Sequence, residues 1–301
     1  MLTPPYLKKG DKIGIVCTAR KVDEEDLHKG ILLLESYGLI PVLGKTIGAE
    51  DDQFGGTDAA RAADLQTMLD DEEIKAVWCA RGGYGTVRII DQINFYKFVK
   101  YPKWVVGYSD ITVLHSQLHM MGFETIHGVM PVGIARNTVA AKQTLEKAWF
   151  GKALNYSVKP APLNRLGTGT GELVGGNISI LYSLCGSNSS IHTKNKILFI
   201  EDLDEYLYHV DRMMVNLKRN NMLCDLKGLV VGSLTKMHDN SIPFGKTAKE
   251  IVLDAVKDYD FPVCFNFPAG HLKDNRALIF GRTVKLEVTE KGSRLAFDHV
   301  E

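Results

Sequence analysis

The sequence has little cysteine, no excess of charge of either sign and no long apolar run. Its 301 residues include five cysteines and no Cys-x-x-Cys pair, which argues against a disulfide framework or a thiolate zinc site. Thirty-six basic residues balance thirty-six acidic ones, so no net field favours nucleic acid or an anionic membrane. This balance suits a small neutral or zwitterionic substrate. We expect no nucleic-acid partner and no membrane partner.

The apolar segments are short throughout the chain. No stretch approaches the length of a membrane span, and the N-terminal residues MLTPPYLKKGDK lack the apolar core of a signal peptide. Together with the sparse cysteines, this predicts a cytoplasmic protein in a reducing compartment.

Short apolar runs alternate with longer helical patterns over residues 12–130, as in a doubly wound α/β layer. The segment 146–169 is rich in proline, glycine and threonine and has little periodicity, which predicts a linker. Several strand-like runs follow it. The sequence therefore predicts an N-terminal α/β domain over residues 1–145, with a mostly parallel sheet and helices on both faces. It also predicts a strand-rich C-terminal α/β domain over residues 170–301.

The segment Gly107-Tyr108-Ser109-Asp110 stands where a predicted strand turns into a predicted helix. A serine at such a turn is exposed, and the first backbone N–H groups of the helix can stabilise an oxyanion. The pattern therefore makes Ser109 a candidate nucleophile. It is not GxSxG, since Ile111 takes the fifth place, and a helix-capping serine explains the spacing equally well.

The segment ARGGYG (80–85) also follows a predicted strand and precedes a predicted helix. Its adjacent glycines, Gly82 and Gly83, let backbone N–H groups approach a carboxylate, a phosphate or an oxyanion. As a bare pattern it is equally typical of a plain turn. Because neighbouring strand ends of such a sheet open into one crevice, we expect the glycine loop to lie near Ser109.

Three later segments carry groups that can assist a serine. FIEDLDE places Glu201 after an apolar strand, where it can orient an imidazole or cap the next helix. His271 lies on the loop NFPAGHLKDN, and an imidazole pKa near neutrality suits a general base. Asn177 of LVGGNISIL either caps the following helix or contacts substrate. His115 and His119 lack the glutamate of HExxH and a third ligand, so we expect no metal.

The order and wording of these segments resemble the LD-carboxypeptidase family of serine peptidases, which also contains the microcin C self-immunity hydrolases. The matching segments extend over nearly the whole chain and are RGGYG, GYSDIT, LVGGN, FIEDLDE and AGH. The resemblance implies that Ser109 is the nucleophile, that Glu201 orients the base and that His271 is the base. It also implies an α/β N-terminal domain with the nucleophile, a strand-rich C-terminal domain with the other two residues, and a homodimer.

The resemblance further implies an oxyanion hole, built from the backbone N–H of Asp110 and that of Gly82 or Gly83. The implied reaction removes the terminal D-alanine from cytoplasmic murein tetrapeptides during cell-wall recycling, with a muropeptide as substrate and without a cofactor. Arg81 is then a candidate clamp for the free carboxylate, although a surface salt bridge explains it equally well.

Two alternatives to this reaction stay open. The first keeps the chemistry but cuts aminoacyl or peptidyl nucleotides, as in the microcin-immunity branch. The second is a non-catalytic α/β protein whose glycine loop binds an anion.

Overall fold

The computed structural model describes residues 1–298 and contains two sheets. Five strands of the first sheet come from the N-terminal half: β1 (Lys12–Val16), β2 (Ile40–Leu43), β3 (Ile74–Cys79), β4 (Trp104–Gly107) and β5 (Thr125–His127). They lie in the order β5-β4-β3-β1-β2, and all of their pairings are parallel. Because strand side chains alternate, Trp78 packs into the core on one face while Val77 and Cys79 pack into the core on the other.

Helices cover both faces of this sheet: α1 (Glu24–Ser36), α2 (Asp58–Asp70), α3 (Tyr96–Lys100), α4 (Thr112–Met120) and α5 (Val139–Trp149). Leu34 of α1 and Leu145 of α5 are buried in one core. Leu65 of α2 and Leu114 of α4 are buried in the other. The predicted doubly wound α/β layer with a mostly parallel sheet is therefore confirmed.

The later part of the chain has eight strands: β6 (Asn155–Val158), β7 (Gly167–Asn177), β8 (Ile197–Leu203), β9 (Gly228–Thr235), β10 (Val263–Cys264), β11 (Leu278–Phe280), β12 (Thr283–Thr289) and β13 (Gly292–Phe297). All except β11 form the second sheet, in the order β10-β9-β8-β7-β12-β13-β6. Strands β7 to β10 pair in parallel, and the pairings from β7 to β6 are antiparallel. The remaining helices, α6 (Ile178–Ser183), α7 (Leu207–Arg219) and α8 (Ala248–Ala255), share a core with this sheet.

Two strands pair where the sequence does not predict it. Strand β11 lies between β10 and β12 along the chain, but it pairs antiparallel with β5 of the first sheet. Strand β6 lies inside the predicted linker 146–169 and pairs with β13, and β7 begins in the same segment. These strands form because distant neighbours supply the hydrogen bonds and packing that the local sequence does not indicate. The division into domains at residues 145 and 170 stays a prediction.

Candidate active site

Ser109 stands at the carboxyl edge of the first sheet. Strand β4 ends at Gly107, and Ser109 opens a short 3₁₀ turn that leads into α4. Its φ of +65° lies in the left-handed region, which is uncommon for a residue other than glycine. Gly107 permits the turn, because a Cβ there would lie 2.7 Å from Cγ1 of Ile111. A strained serine at a strand-to-helix turn is typical of a functional position.

Ser109, His271 and Glu201 form one hydrogen-bonded chain. Nδ1 of His271 lies 2.6 Å from Oε2 of Glu201, and Nε2 lies 3.1 Å from Oγ of Ser109. Because the carboxylate accepts a hydrogen bond from Nδ1–H, the proton stays on Nδ1, and Nε2 is free to accept the proton of the serine hydroxyl. The structure thus brings together the three residues that the sequence singled out, although they are 70 and 162 positions apart.

The loop that carries His271 is held in place from both sides. The N–H of Gly270 donates to Oδ1 of Asn275 at 2.7 Å, and the N–H of Ser233 in β9 donates to the carbonyl of Ala269 at 3.0 Å. Gly270 has a φ of +104°, and a Cβ there would lie 2.6 Å from Oε2 of Glu201. Only glycine lets the backbone pass this close to the carboxylate.

The electrostatics of the pair keep Glu201 charged. Burial raises the pKa of a carboxyl group, but the charge and hydrogen bond of His271 outweigh this effect, so the pKa of Glu201 lies below its usual value. Burial likewise lowers the pKa of His271, but the Glu201 carboxylate reverses the shift and raises it above the usual value. The contact therefore stabilises an imidazolium, which is the form that a general base reaches after taking a proton.

Asn177 lies at the end of β7 and belongs to the same buried network. Its Nδ2 donates to Oδ1 of Asp202 at 2.9 Å and to Oε1 of Glu201 at 3.3 Å. Its Oδ1 accepts from the hydroxyl of Ser179 at 2.6 Å and from the N–H of Ile180 at 3.2 Å, which caps α6. Asn177 therefore has the capping role, one of the two that the sequence allows. It also lines the cavity that contains Ser109, and a contact with substrate stays a prediction.

The glycine loop lies against the serine, as expected. A Cβ on Gly82 would lie 3.2 Å from Cβ of Ser109 and 3.5 Å from the backbone nitrogen of Asp110. Gly83 has a φ of +118° and faces Arg20 instead. Within residues 1–298, the N–H groups of Gly82, Gly83 and Asp110 donate no hydrogen bond. All three residues line the cavity that contains Ser109, so their donors are available to a ligand.

Asp110 itself is buried and helps to hold the glycine loop. Its Oδ2 accepts from the N–H of Thr86, just past that loop, at 2.9 Å. Burial raises the pKa of this carboxyl group. Its contact with Thr86 ties the turn after β4 to the turn after β3.

The cavity has a volume of about 690 Å³, and Arg81 lines it beside the glycines. Several other residues of its wall were not predicted from the sequence: Arg20, Tyr108, Arg136, Asp202 and Lys236. They lie at or near the ends of different strands, so only the folded chain shows that they share one cavity. Tyr108 packs edge-on against the His271 ring with 5.0 Å between the centroids. The sequence offered one signal for Tyr108, which is its position directly before Ser109.

The histidines of α4 have other contacts. His115 is buried and lies 2.9 Å from the carbonyl oxygen of Gly107 and from Oγ1 of Thr125. Nε2 of His119 lies 2.7 Å from Nζ of Lys196. Because each ring contacts a different neighbour, the two histidines do not face one shared ion.

The site links a serine, an imidazole and a carboxylate in this order, on an α/β fold with free backbone donors beside the serine. This arrangement is found in serine hydrolases. The profile of the LD-carboxypeptidase N-terminal domain matches residues 13–128, and that of the LD-carboxypeptidase C-terminal domain matches residues 170–286. The chain belongs to the LD-carboxypeptidase family, whose members are peptide hydrolases.

Individual relatives match the chain over nearly its whole length. The probable murein peptide carboxypeptidase of Bacillus subtilis (strain 168) is 37% identical over an alignment of 299 positions, which covers 96% of this chain and 92% of that protein. The crystal structure of muramoyltetrapeptide carboxypeptidase from Oxalobacter formigenes has a TM-score of 0.86 at 24% identity and covers 96% of this chain and 100% of its own.

A second solved structure is similar in fold. The microcin C7 self-immunity protein MccF with aspartyl sulfamoyl adenosine has a TM-score of 0.88 at 19% identity and covers 100% of both chains. At these identities, the two solved structures show the fold alone.

No helix among residues 1–298 is long and apolar enough to cross a membrane.

Proposed function

We propose that this chain is a serine LD-carboxypeptidase that hydrolyses the amide bond to the C-terminal D-alanine of murein tetrapeptides in cell-wall recycling. The observation that carries the proposal is the Ser109–His271–Glu201 chain, with contacts of 3.1 and 2.6 Å on a cavity of about 690 Å³. The 37% identity to a probable murein peptide carboxypeptidase favours this substrate over an aminoacyl nucleotide.

In the proposed reaction, Nε2 of His271 takes the proton of Ser109 while the serine oxygen attacks the carbonyl carbon before the terminal residue. The buried Glu201 carboxylate keeps Nδ1–H in place and stabilises the imidazolium. The imidazolium then protonates the leaving amino group, and the C–N bond breaks. Water repeats the sequence on the acyl-enzyme, which releases the shortened peptide and restores Ser109.

The developing oxyanion needs donors close to Ser109. The N–H groups of Asp110 and Gly82 are the best placed, because both residues border Ser109 and neither group has a partner among the described residues. We assign Gly82 rather than Gly83 to this role, since Gly83 faces Arg20.

The terminal carboxylate of the substrate needs a cation near the scissile bond. Arg81 is half-buried beside Gly82 on the cavity wall and forms no salt bridge within the part of the chain that the structure describes. A guanidinium binds a carboxylate through two parallel hydrogen bonds, so we assign the clamp to Arg81.

A cytoplasmic homodimer completes the proposal. It is supported by the family resemblance and by the sparse cysteines. Light scattering of the purified chain should then give about twice the 33.4 kDa of one chain, and a molar mass of one chain would contradict the dimer.

The substrate is tested by incubating the purified chain with a murein tetrapeptide and, separately, with an aminoacyl sulfamoyl-adenylate. Mass spectrometry should show loss of a single alanine from the tetrapeptide and slow or no cleavage of the adenylate. A tetrapeptide ending in L-alanine is the matched control for stereochemistry. Cleavage of the adenylate alone would overturn the murein assignment while leaving the hydrolase chemistry intact.

A further inference from the structure

The wall of the Ser109 cavity carries charges of both signs. Its cations are Arg20, Arg81, Arg136 and Lys236, and its acidic residues near the mouth are Asp204 and Glu205. Asp110 and Asp202 also line the cavity and are buried. The net charge of the chain is zero. The charge that a ligand meets in the cavity therefore depends on which groups of the wall already have a partner in the protein.

The acidic groups are engaged by the protein. Asp204 lies 2.6 Å from Nε2 of His238, and Glu205 lies 2.6 Å from Nδ1 of His209. Asp202 accepts bonds from Nδ2 of Asn177 and from two backbone N–H groups, at 2.8 to 3.0 Å. Burial, followed by repulsion from Glu201, raises the pKa of Asp202 to about 7. Each of these three acidic groups therefore already has a hydrogen-bond partner in the protein.

The cations, by contrast, are unpaired. Within residues 1–298, Arg20, Arg81, Arg136 and Lys236 form no salt bridge and donate no side-chain hydrogen bond. Other surface cations of this chain do find carboxylates, such as Arg88 with Asp58. An unpaired cation on the wall of a concave site is available to a ligand anion.

Two of these arginines lie near different residues of the site. Arg20 extends along the glycine loop, where its Nε lies 3.0 Å from the position of a Cβ on Gly83. Arg136 stands near Tyr108: burial and the Glu201 carboxylate raise the pKa of Tyr108 to about 12, and the positive charge of Arg136 opposes that rise. Tyr108 in turn packs on His271.

We infer that Arg20 and Arg136 bind carboxylates on the substrate other than the terminal one, and so select peptides that carry free acidic groups before the scissile bond. A single clamp at Arg81 accounts for the terminal carboxylate and leaves these two arginines without a role. The inference deepens the proposed function and rests on it. It also refines the expectation of a neutral or zwitterionic substrate, because within residues 1–298 the cations of the cavity wall lack the protein partners that Asp202, Asp204 and Glu205 have.

The preferred substrate class is therefore a short peptide with at least two carboxylates. Guanidinium and carboxylate pair through two N–H···O bonds, and replacing one carboxylate oxygen by an NH₂ group removes both the charge and one acceptor. A carboxamide at the same place should therefore lose most of the interaction, although its size and shape hardly change.

The test compares two tetrapeptides that both end in D-alanine with a free terminal carboxylate. One has free internal carboxylates, and in the other these are carboxamides. The native enzyme should cleave the free acid with a kcat/KM about tenfold higher or more, which is the ratio that roughly 1.4 kcal/mol gives. Raising the salt concentration should reduce this preference.

The variants Arg20→Gln and Arg136→Gln should lower kcat/KM for the free acid and leave the carboxamide peptide nearly unchanged. Arg212→Gln is the matched control, since Arg212 lies on α7 over the Tyr208 ring and outside the cavity wall. Equal rates for both peptides with the native enzyme, or equal losses on both peptides in the two variants, would overturn the inference. Cleavage of neither peptide would contradict the proposed function itself, and the inference with it.

Discussion

Glu201 and His271 each occupy an environment that, by burial alone, would favour their neutral forms. Their 2.6 Å contact reverses this, so the carboxylate stays ionised and the imidazole becomes a stronger base. Asn177 supports the arrangement through its bond to the second carboxylate oxygen of Glu201. The chemistry of the site therefore depends on one charge that is held where water cannot reach it.

The dependence of kcat/KM on pH should report this pair. His271 acts as a base only when neutral, so kcat/KM should fall as the pH drops through its pKa, which lies above the ordinary 6.5. In Glu201→Gln the carboxylate no longer opposes the burial effect, so the acid limb should move to lower pH. The plateau should also fall by about 10³-fold or more. Measuring kcat/KM from acid to neutral pH for both proteins checks this.

The control for that profile is Glu73→Gln, which alters an exposed ion pair with Lys12 outside the site. This variant should change neither the plateau value of kcat/KM nor the pH at which kcat/KM falls on the acid side. An acid limb that stays in place in Glu201→Gln would show that this carboxylate does not set the basicity of His271.

The reacting residues were accessible from the sequence because each follows an apolar strand or a glycine turn and carries a side chain suited to the chemistry. Arg136 and Asp202 were not. Arg136 ends a 3₁₀ turn without any motif, and Asp202 resembles an ordinary helix cap. Their importance arises from residues on other elements, such as Asn177, which is 25 positions from Asp202, or from the cavity that they share.

At the scale of elements, β7 shows what local pattern cannot reveal. Its segment GTGTGELVGGN looks like a loop, yet it forms an eleven-residue strand between β8 and β12. The glycines are there because neighbouring backbone approaches closely: a Cβ on Gly175 would lie 1.9 Å from the carbonyl oxygen of Phe199. Because such contacts join residues that are distant in the sequence, the low strand propensity of the segment predicts a loop instead of the strand that forms.

Gly175→Ala should therefore destabilise the protein strongly. The new Cβ combines this clash with a φ of +134°, so we expect a loss of roughly 2–4 kcal/mol in the free energy of unfolding. Gly10→Ala is the matched control, because Gly10 also has a positive φ of +92° but no atom within 4 Å of the added carbon. Urea unfolding of both variants measures the difference, and equal losses would mean that strain alone, not packing against β8, limits this position.

At the scale of the whole molecule, Ser109 follows a strand of the first sheet and Glu201 lies in a strand of the second, so activity requires the sheets to keep their relative position. Strand β11 adds to the first sheet, and a buried ion pair follows it: Arg282 donates from Nε to Oε1 of Glu124, next to β5, at 3.1 Å. The side chains are only 6% and 4% exposed. Neither the crossing strand nor the ion pair could be read from sequence, because both join segments about 150 residues apart.

Glu124→Gln should weaken this junction. It leaves the buried guanidinium of Arg282 without its counter-charge, which typically costs about 3–5 kcal/mol. The double variant Glu124→Leu/Arg282→Met should recover much of that loss, because no unpaired buried charge then remains. Chemical denaturation checks both variants, and a double variant as unstable as the single one would show that the charge pair is not the cause.

The central claim is that Ser109, activated by His271 across the two sheets, cuts the bond before a terminal D-alanine. Its most direct test is the turnover of a murein tetrapeptide by Ser109→Ala, with the unfolding transition of the variant measured alongside. We predict an unchanged transition and a kcat lower by about 10³- to 10⁴-fold or more. A folded variant that retains most of the native turnover would contradict the account.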